Sequence, residues 1–188
     1  RAVYLKGLDR PDDESHVREY FGREKWLDLS MVEATESFLD GLRGLESPAY
    51  KRLGIWNVYK QVLDRELRAY GADYISQGVL RSEFSVPQLM PLDGCSRNDA
   101  RAIGRAIGVP KALLMRHPFP WEGLASRIEG EVTRDKLRIA RAADKIYIEE
   151  LRRWGLYDAV SQAGAVVTRS AVVCKKGETV GSGVLIVY

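Results

Sequence analysis

The chain of 188 residues has the length of one domain or one and a half, and its 45% hydrophobic and 29% charged residues, with 4 Trp, 9 Tyr and 4 Phe, exclude a disordered or low-complexity segment. Its 29 Lys and Arg against 26 Asp and Glu give a net charge of +3, far from the concentrated basic face of a nucleic-acid binder, so no nucleic-acid partner is expected. The longest apolar stretch, Val180 to Tyr188, holds two glycines and a serine and falls far short of the ~20 residues of a membrane span, so no membrane partner is expected either.

In chain order, Ala2 to Leu5 reads as a short strand, and the acidic run after Pro11 reads as the first turn of a helix. Trp26 to Leu29 alternates like a second strand, and Ser30 with Glu33 forms a capping-box pattern ahead of a helix carrying Phe38, Leu39 and Leu42. Ser47-Pro48 is an N-cap followed by proline at the first helical position; Trp56, Tyr59, Leu63, Leu67 and Tyr70 continue that helix until Gly71. Tyr74 to Gln77 is a third short strand, and Ser96 caps a helix that stops at Gly108. This alternation predicts an α/β fold, a parallel sheet flanked by helices with ligand sites at the carboxyl ends of its strands. Beyond a boundary placed near Pro120, Thr133 caps a long helix whose buried face is read as Leu137, Ala140, Ala143, Tyr147, Leu151 and Trp154, stopped by Gly155. Ala165 to Cys174 and Thr179 to Tyr188 then read as an appended β-hairpin, so the expected parts are 1–120 and 121–188.

Local chemistry motifs are few. The sequence contains no Walker pattern, no glycine-rich fingerprint after a strand, and no Ser/His/Asp or Cys/His arrangement. Gly181-Ser182-Gly183 reads as a bulge or turn within the last strand. Cys95 and Cys174 have no second Cys or His at ligand spacing, so no zinc site or disulfide is expected and a reducing cytoplasm is the default compartment. His16 reads as a surface residue; His117 lies in a two-proline stretch held extended, which by itself reads as a structural linker. The opening Arg1, with no Met and no leader pattern, reads as the interior of a longer chain.

That two-proline stretch carries a resemblance. His117-Pro118-Phe119-Pro120, Gly123-Leu124-Ala125, Arg127-Ile128 and Gly130-Glu131-Val132-Thr133 resemble the HPFPGPGLAxRxxGEVT signature of the GMP synthases, at the exit of their ATP pyrophosphatase domain. Phe38-Leu39, Leu42, Gly44, Ser47-Pro48, Lys51-Arg52, Gly71-Ala72-Asp73-Tyr74, Gln77-Gly78, Ile103-Gly104-Arg105, Gly108-Val109-Pro110, Ala143-Asp144 and Trp154-Gly155-Leu156-Tyr157 follow in the family's order. The resemblance implies a ligase that adenylates a carbonyl oxygen of a purine nucleotide with ATP and Mg²⁺ and lets ammonia displace AMP. It also implies a glutaminase domain or subunit as nitrogen source and a homodimer formed through the C-terminal part.

Residue by residue, it implies that Leu5, Gln77 and Gly78 contact ATP, and that Arg52, Pro120, Glu122, Gly123 and Arg127 contact the acceptor, XMP or a relative of it. An arginine suits a phosphate through paired hydrogen bonds. The sequence also departs from the family. The SGGVDSS pyrophosphate loop would precede Ala2, and the chain runs from Phe84 to Pro87 where the family has a lid-like insertion. Trp121-Glu122 replaces Gly-Pro, setting a carboxylate in the acceptor loop, and the closing KPPATIEWE segment has no counterpart. Two alternatives stand beside the ligase: a catalytically silent paralogue serving as a binding or regulatory module, and a sulfur-transferring relative with Cys95 as its thiol.

Overall fold

The computed structural model describes residues 1–78, 83–117, 119–173 and 179–187. The chain forms two compact units, one from Arg1–Val58 with Pro118–Tyr188 and the other from Tyr59–His117.

In the first unit, β1 (Ala2–Lys6) is followed by α1 (Asp13–Phe21) and β2 (Leu29–Glu33), and the two strands pair in parallel from Ala2↔Leu29 to Lys6↔Glu33. A nine-residue helix with acidic residues in its first turn suffices for this crossover. The second strand begins where the sequence reading ended it. Trp26 is 78% exposed, and the burying position is Val32, so the alternation around Leu27 and Leu29 marks the approach to the strand. Ser30 and Glu33 consequently lie in β2 and form no capping box. Glu33 nevertheless serves α2 (Thr35–Gly41), because its Oε1 accepts from the Thr35 amide at 2.9 Å and from the Thr35 hydroxyl.

Helix α3 (Pro48–Tyr70) starts at the predicted proline and stops before Gly71; its residues up to Val58 belong to the first unit. The chain returns to that unit through a 3-10 turn at Gly123–Arg127 and then α6 (Arg134–Arg153), whose N-terminus is capped by the Thr133 side chain accepting from the Lys136 amide. Leu137, Ala140, Asp144, Ile148 and Leu151 form the buried face of α6, a spacing of three and four. Trp154, expected on that face, is 71% exposed at the C-cap, and the buried positions are Asp144 and Ile148 where Ala143 and Tyr147 were expected, those two being only partly buried. β5 (Gly164–Val173) and β6 (Thr179–Val187) form the expected antiparallel hairpin. Register steps from Ala171↔Ser182 to Val172↔Val180, so Gly181 is the extra residue of a bulge, as the glycine-serine-glycine run suggested. β5 is tied to the two-proline segment through a parallel bridge between Ile128 and Val167.

In the second unit, β3 (Ile75–Ser76) and β4 (Gln88–Leu89) pair in parallel. α4 (Arg97–Ala106) starts with a true capping box, Ser96 and Asp99 each satisfying the other's backbone amide. The short α5 (Lys111–Leu114) follows, and Arg101 Nε donates to the Leu114 carbonyl at 3.0 Å. Parallel pairing is thus present, but as two separate two-stranded pairs among the described residues, the second of them made with β4, a strand the sequence did not predict. Cys174 and Tyr188, and the side chain of Ser182, lie outside the described residues.

Candidate functional site

The first unit contains a cavity of about 380 Å³, at the small end of the ~300–1,000 Å³ usual for small-molecule sites. Two stretches far apart in sequence wall it. One is the start of α3, with Lys51, Arg52 and Ile55 on successive turns behind Glu46; the other runs from Glu122 to Gly130 and is completed by Val166 and Arg169 of β5.

Charge dominates this lining, and the charges are already paired. Glu122 is 8% exposed, and its Oε1 accepts from Arg52 Nε at 2.7 Å. Arg169 contacts Glu46 Oε2 at 2.5 Å through Nη2, while its backbone amide donates to Glu129 Oε2 at 3.0 Å. Lys51 is buried and donates from Nζ to the Ile128 carbonyl at 2.5 Å. Burial, then the nearby Lys136 and Arg169 charges, push the Lys51 ammonium below the usual lysine range. Trp121 packs edge-on against Trp56, with ring centroids 6.1 Å apart.

Behind the cavity wall the two-proline segment is anchored by a buried ion cluster. Asp144, 1% exposed, faces Arg127 Nη1 at 2.6 Å and Arg10 Nε at 2.9 Å, the second an ion pair whose N–H is not aimed along a hydrogen bond. Both guanidiniums also lie over the Phe119 ring, at 4.4 and 5.3 Å from its centroid. Gly123 closes the segment against the β1–α1 loop: the Leu124 amide donates to the Leu8 carbonyl at 2.7 Å. At a φ of +62°, a Cβ on Gly123 would lie 2.2 Å from that same carbonyl oxygen, so only glycine allows the approach. The β1–α1 loop is held from α6 as well, since Arg141 Nη2 donates to the Gly7 carbonyl at 2.6 Å. Asp9 accepts from the Tyr4 hydroxyl at 2.7 Å and the Gly7 amide at 2.9 Å. Burial and the Asp9 carboxylate keep that phenol protonated.

The residues singled out in the sequence separate into groups. Arg52 and Glu122 meet in the cavity. Pro120 and Gly123 form the turn that supports Glu122, the Gly123 amide donating to the Pro120 carbonyl at 2.9 Å. Arg127 turns inward to Asp144 and is not among the cavity-lining residues. Leu5 lies near the carboxyl end of β1, while Gln77 and Gly78 follow the carboxyl end of β3 in the other unit. Pro118 lies outside the described residues. His117 is buried, His16 is partly buried and stacks on Tyr20, and Cys95 is an exposed free thiol. The sequence reading did not single out Glu46, Ser126, Glu129 or Arg169; no motif marks them, and they gather only when β5 comes alongside Ile128. Among the described residues, no group of three His, Cys, Asp or Glu could hold a metal ion, and no helix is long and apolar enough to cross a membrane.

Two parallel strand pairs, the first of them joined by a helix, together with the helices around them place the chain in the mixed α/β class. No family model matches it. It is 36% identical over 189 residues to the glutamine-hydrolysing GMP synthase of Mesorhizobium japonicum, covering 86% of this chain and 36% of the relative. The same enzyme from Rhodopseudomonas palustris matches at 36% over 203 residues, covering 92% of this chain and 38% of the relative; that from Brucella suis matches at 36% over 86% of this chain. The chain is GMP synthase-like, and it spans little more than a third of the length of these curated relatives. An alignment of 189 positions exceeds the 86% of 188 residues that this chain contributes, so the relatives carry insertions that this chain lacks.

Proposed function

We propose that the chain is the acceptor-binding and nucleotide-activating part of an ATP-dependent carbon–nitrogen ligase of GMP-synthase type. The observation that carries this reading is the cavity where Lys51-Arg52 meets the Pro120–Gly123 turn, the turn lying within the stretch that resembles the GMP synthase signature. The acceptor is a purine nucleotide, XMP or a related carbonyl compound. Its carbonyl oxygen attacks the α-phosphorus of ATP and pyrophosphate leaves. Ammonia then adds to the activated carbon, AMP departs with the oxygen, and the proton released from nitrogen passes to solvent. Positioning and charge stabilisation supply most of the rate in such a reaction, so a side-chain nucleophile is not required.

In this reading Leu5, Gln77 and Gly78 serve ATP. Each lies at or just beyond the carboxyl end of the first strand of a parallel pair, the end at which ligands bind in open α/β sheets. A Cβ on Gly78 would meet nothing within 4 Å, which leaves its backbone open to approach. Mg²⁺ takes most of its ligands from phosphate and water and needs only one or two carboxylates, so it would arrive with the triphosphate. Arg52, Pro120, Glu122 and Gly123 serve the acceptor, and Arg127 holds their loop in place from behind. A glutaminase domain or subunit would provide ammonia, and the C-terminal hairpin would pair two copies in a cytoplasmic homodimer.

The test is to incubate the natural full-length protein with Mg-ATP, ammonia and a panel of purine carbonyl acceptors, and to measure AMP and pyrophosphate. The ligase reading expects both products in equal amounts, dependent on one acceptor. Absence of turnover together with no Mg-ATP-induced rise in thermal midpoint would instead support the silent binding module.

A further inference from the structure

Three cations line the cavity, and they differ in what holds them. Lys51 is buried and gives its ammonium to the Ile128 carbonyl. Arg52 is paired with Glu122, a buried carboxylate on the turn that the Leu8 carbonyl ties down, so an anion drawn to Arg52 meets a negative charge that cannot move aside. Arg169 is held more loosely. Its side chain is 53% exposed and its partner Glu46, in the loop ahead of α3, is 62% exposed, so both ends of the pair stand in water. An exposed ion pair of this kind contributes little and can be exchanged for a better partner. A phosphate dianion is a better partner, because it carries more charge than a carboxylate and offers the guanidinium two oxygens at once.

The base of Arg169 is fixed although its head is not. Its backbone amide donates to Glu129 Oε2 at 3.0 Å, and its guanidinium lies against Gly130, where a Cβ would come within 2.4 Å of Nε. Gly130 and Arg169 both line the cavity, so the head is presented to that space whichever anion it meets. Its charge also reaches Lys51: after burial, Lys136 and then Arg169 disfavour the Lys51 ammonium. An anion seated at Arg169 would offset that repulsion.

Resting on the reading of this cavity as the acceptor site, we propose that Arg169 grips the 5′-phosphate of the purine nucleotide and that Glu46 is the partner it releases on binding. Glu46 turns to solvent as the phosphate takes its place, and its carboxylate competes for the same guanidinium while the site is empty. Preference for the nucleotide over its nucleoside is then set by a side chain of β5, outside the stretch that resembles the GMP synthase signature.

Calorimetric titration of the natural full-length protein with xanthosine 5′-monophosphate and with xanthosine, at fixed pH and ionic strength, tests this. The unsubstituted protein should bind the monophosphate at least about tenfold more tightly than the nucleoside. Arg169→Gln should weaken the monophosphate by about tenfold or more and the nucleoside by less than about twofold, as removal of charged hydrogen bonds to phosphate alone predicts. Glu46→Gln, which removes the competing carboxylate and keeps Arg169, should tighten the monophosphate by about twofold or more and leave the nucleoside unchanged. That gain is a readout a merely structural ion pair would not give, and it stands even if Arg169→Gln fails to fold, which circular dichroism and the thermal midpoint would reveal. Equal losses for the two ligands in Arg169→Gln, an unchanged monophosphate affinity there, or no gain in Glu46→Gln overturns the proposal and leaves the acceptor site standing. Binding of neither ligand to the unsubstituted protein overturns both.

Discussion

Asp144 shows what a single buried carboxylate holds together. It neutralises one of two guanidiniums, Arg10 from the β1–α1 loop and Arg127 from the two-proline segment, in a place where all three are less than one-tenth exposed. The Ala163 carbonyl lies 3.5 Å from a terminal nitrogen of each arginine, and Phe119 takes both over its ring. A Cβ at Gly164 would lie 1.8 Å from Arg127 Nη1, so the start of β5 must be bare for the cluster to close. Asp144→Ala should lower unfolding free energy by ~3–5 kcal/mol, because two cations would remain buried side by side without their counter-charge. Urea unfolding checks this, and a loss under about 1 kcal/mol would mean that the arginines reach water instead. Helical periodicity alone conceals Asp144: a carboxylate at an apolar spacing is ordinarily assigned to the solvent face, and its partner Arg10 lies in a loop with no pattern to mark it. Arg127 was legible as important from the family signature, but its direction was not, because a signature does not say whether a cation faces ligand or core.

Helices were legible where their ends carry chemistry. Ser47-Pro48, Ser96 with Asp99, Thr133 and the glycines at 71, 108 and 155 set boundaries that the structure keeps to within about two residues. The short strands were harder, since β2 and β4 have few residues and their pairing is fixed by partners elsewhere in the chain. Asp64 on α3 shows an element tied down by a contact that no local pattern announces. It is buried, its Oδ1 accepts from the Ser85 amide at 2.9 Å, and Lys60 contacts its Oδ2 at 3.2 Å. Burial by itself would raise its pKa, but the hydrogen bonds from Ser85 and Lys60 outweigh it and hold the carboxyl below the usual aspartate range. A carboxylate with a lowered folded value contributes stability above its unfolded pKa of about 3.9 and loses that contribution as pH falls through the folded value. Asp64→Asn should therefore cost ~1–3 kcal/mol at pH 7, the usual worth of hydrogen bonds to a charged group. The gap from the unsubstituted protein should narrow once pH falls below about 4. Denaturation midpoints at pH 7 and pH 2.5 measure both values, and a gap of constant size would assign the loss to packing instead.

At the scale of the molecule, the strand–helix alternation was readable along the first hundred residues, while the return of the later chain onto its beginning was not. Arg141 and Gly7 meet across 134 residues, and Lys51 and Ile128 across 77. Contacts at such separations leave no periodic trace, and they are paid for in loop-closure entropy before any burial repays them. Their consequence is that the cavity has one wall from residues 46–55 and another from residues 122–169, so neither stretch contains a site by itself. The boundary near Pro120 can be tested on this ground. Val132, Leu137, Ala140, Ala165 and Val167 are buried in the same unit as Val32, Phe38, Leu42 and Ile55, so cutting there should expose apolar surface on both pieces. Separately produced fragments 1–120 and 121–188 should each lack a cooperative thermal transition, and the longer one should keep helical circular dichroism from α3 and α4 without it. If residues 121–188 alone unfold cooperatively near the midpoint of the intact chain, the long-range contacts are dispensable. The C-terminal part would then be an independent module, and its share of the cavity would come from docking after folding.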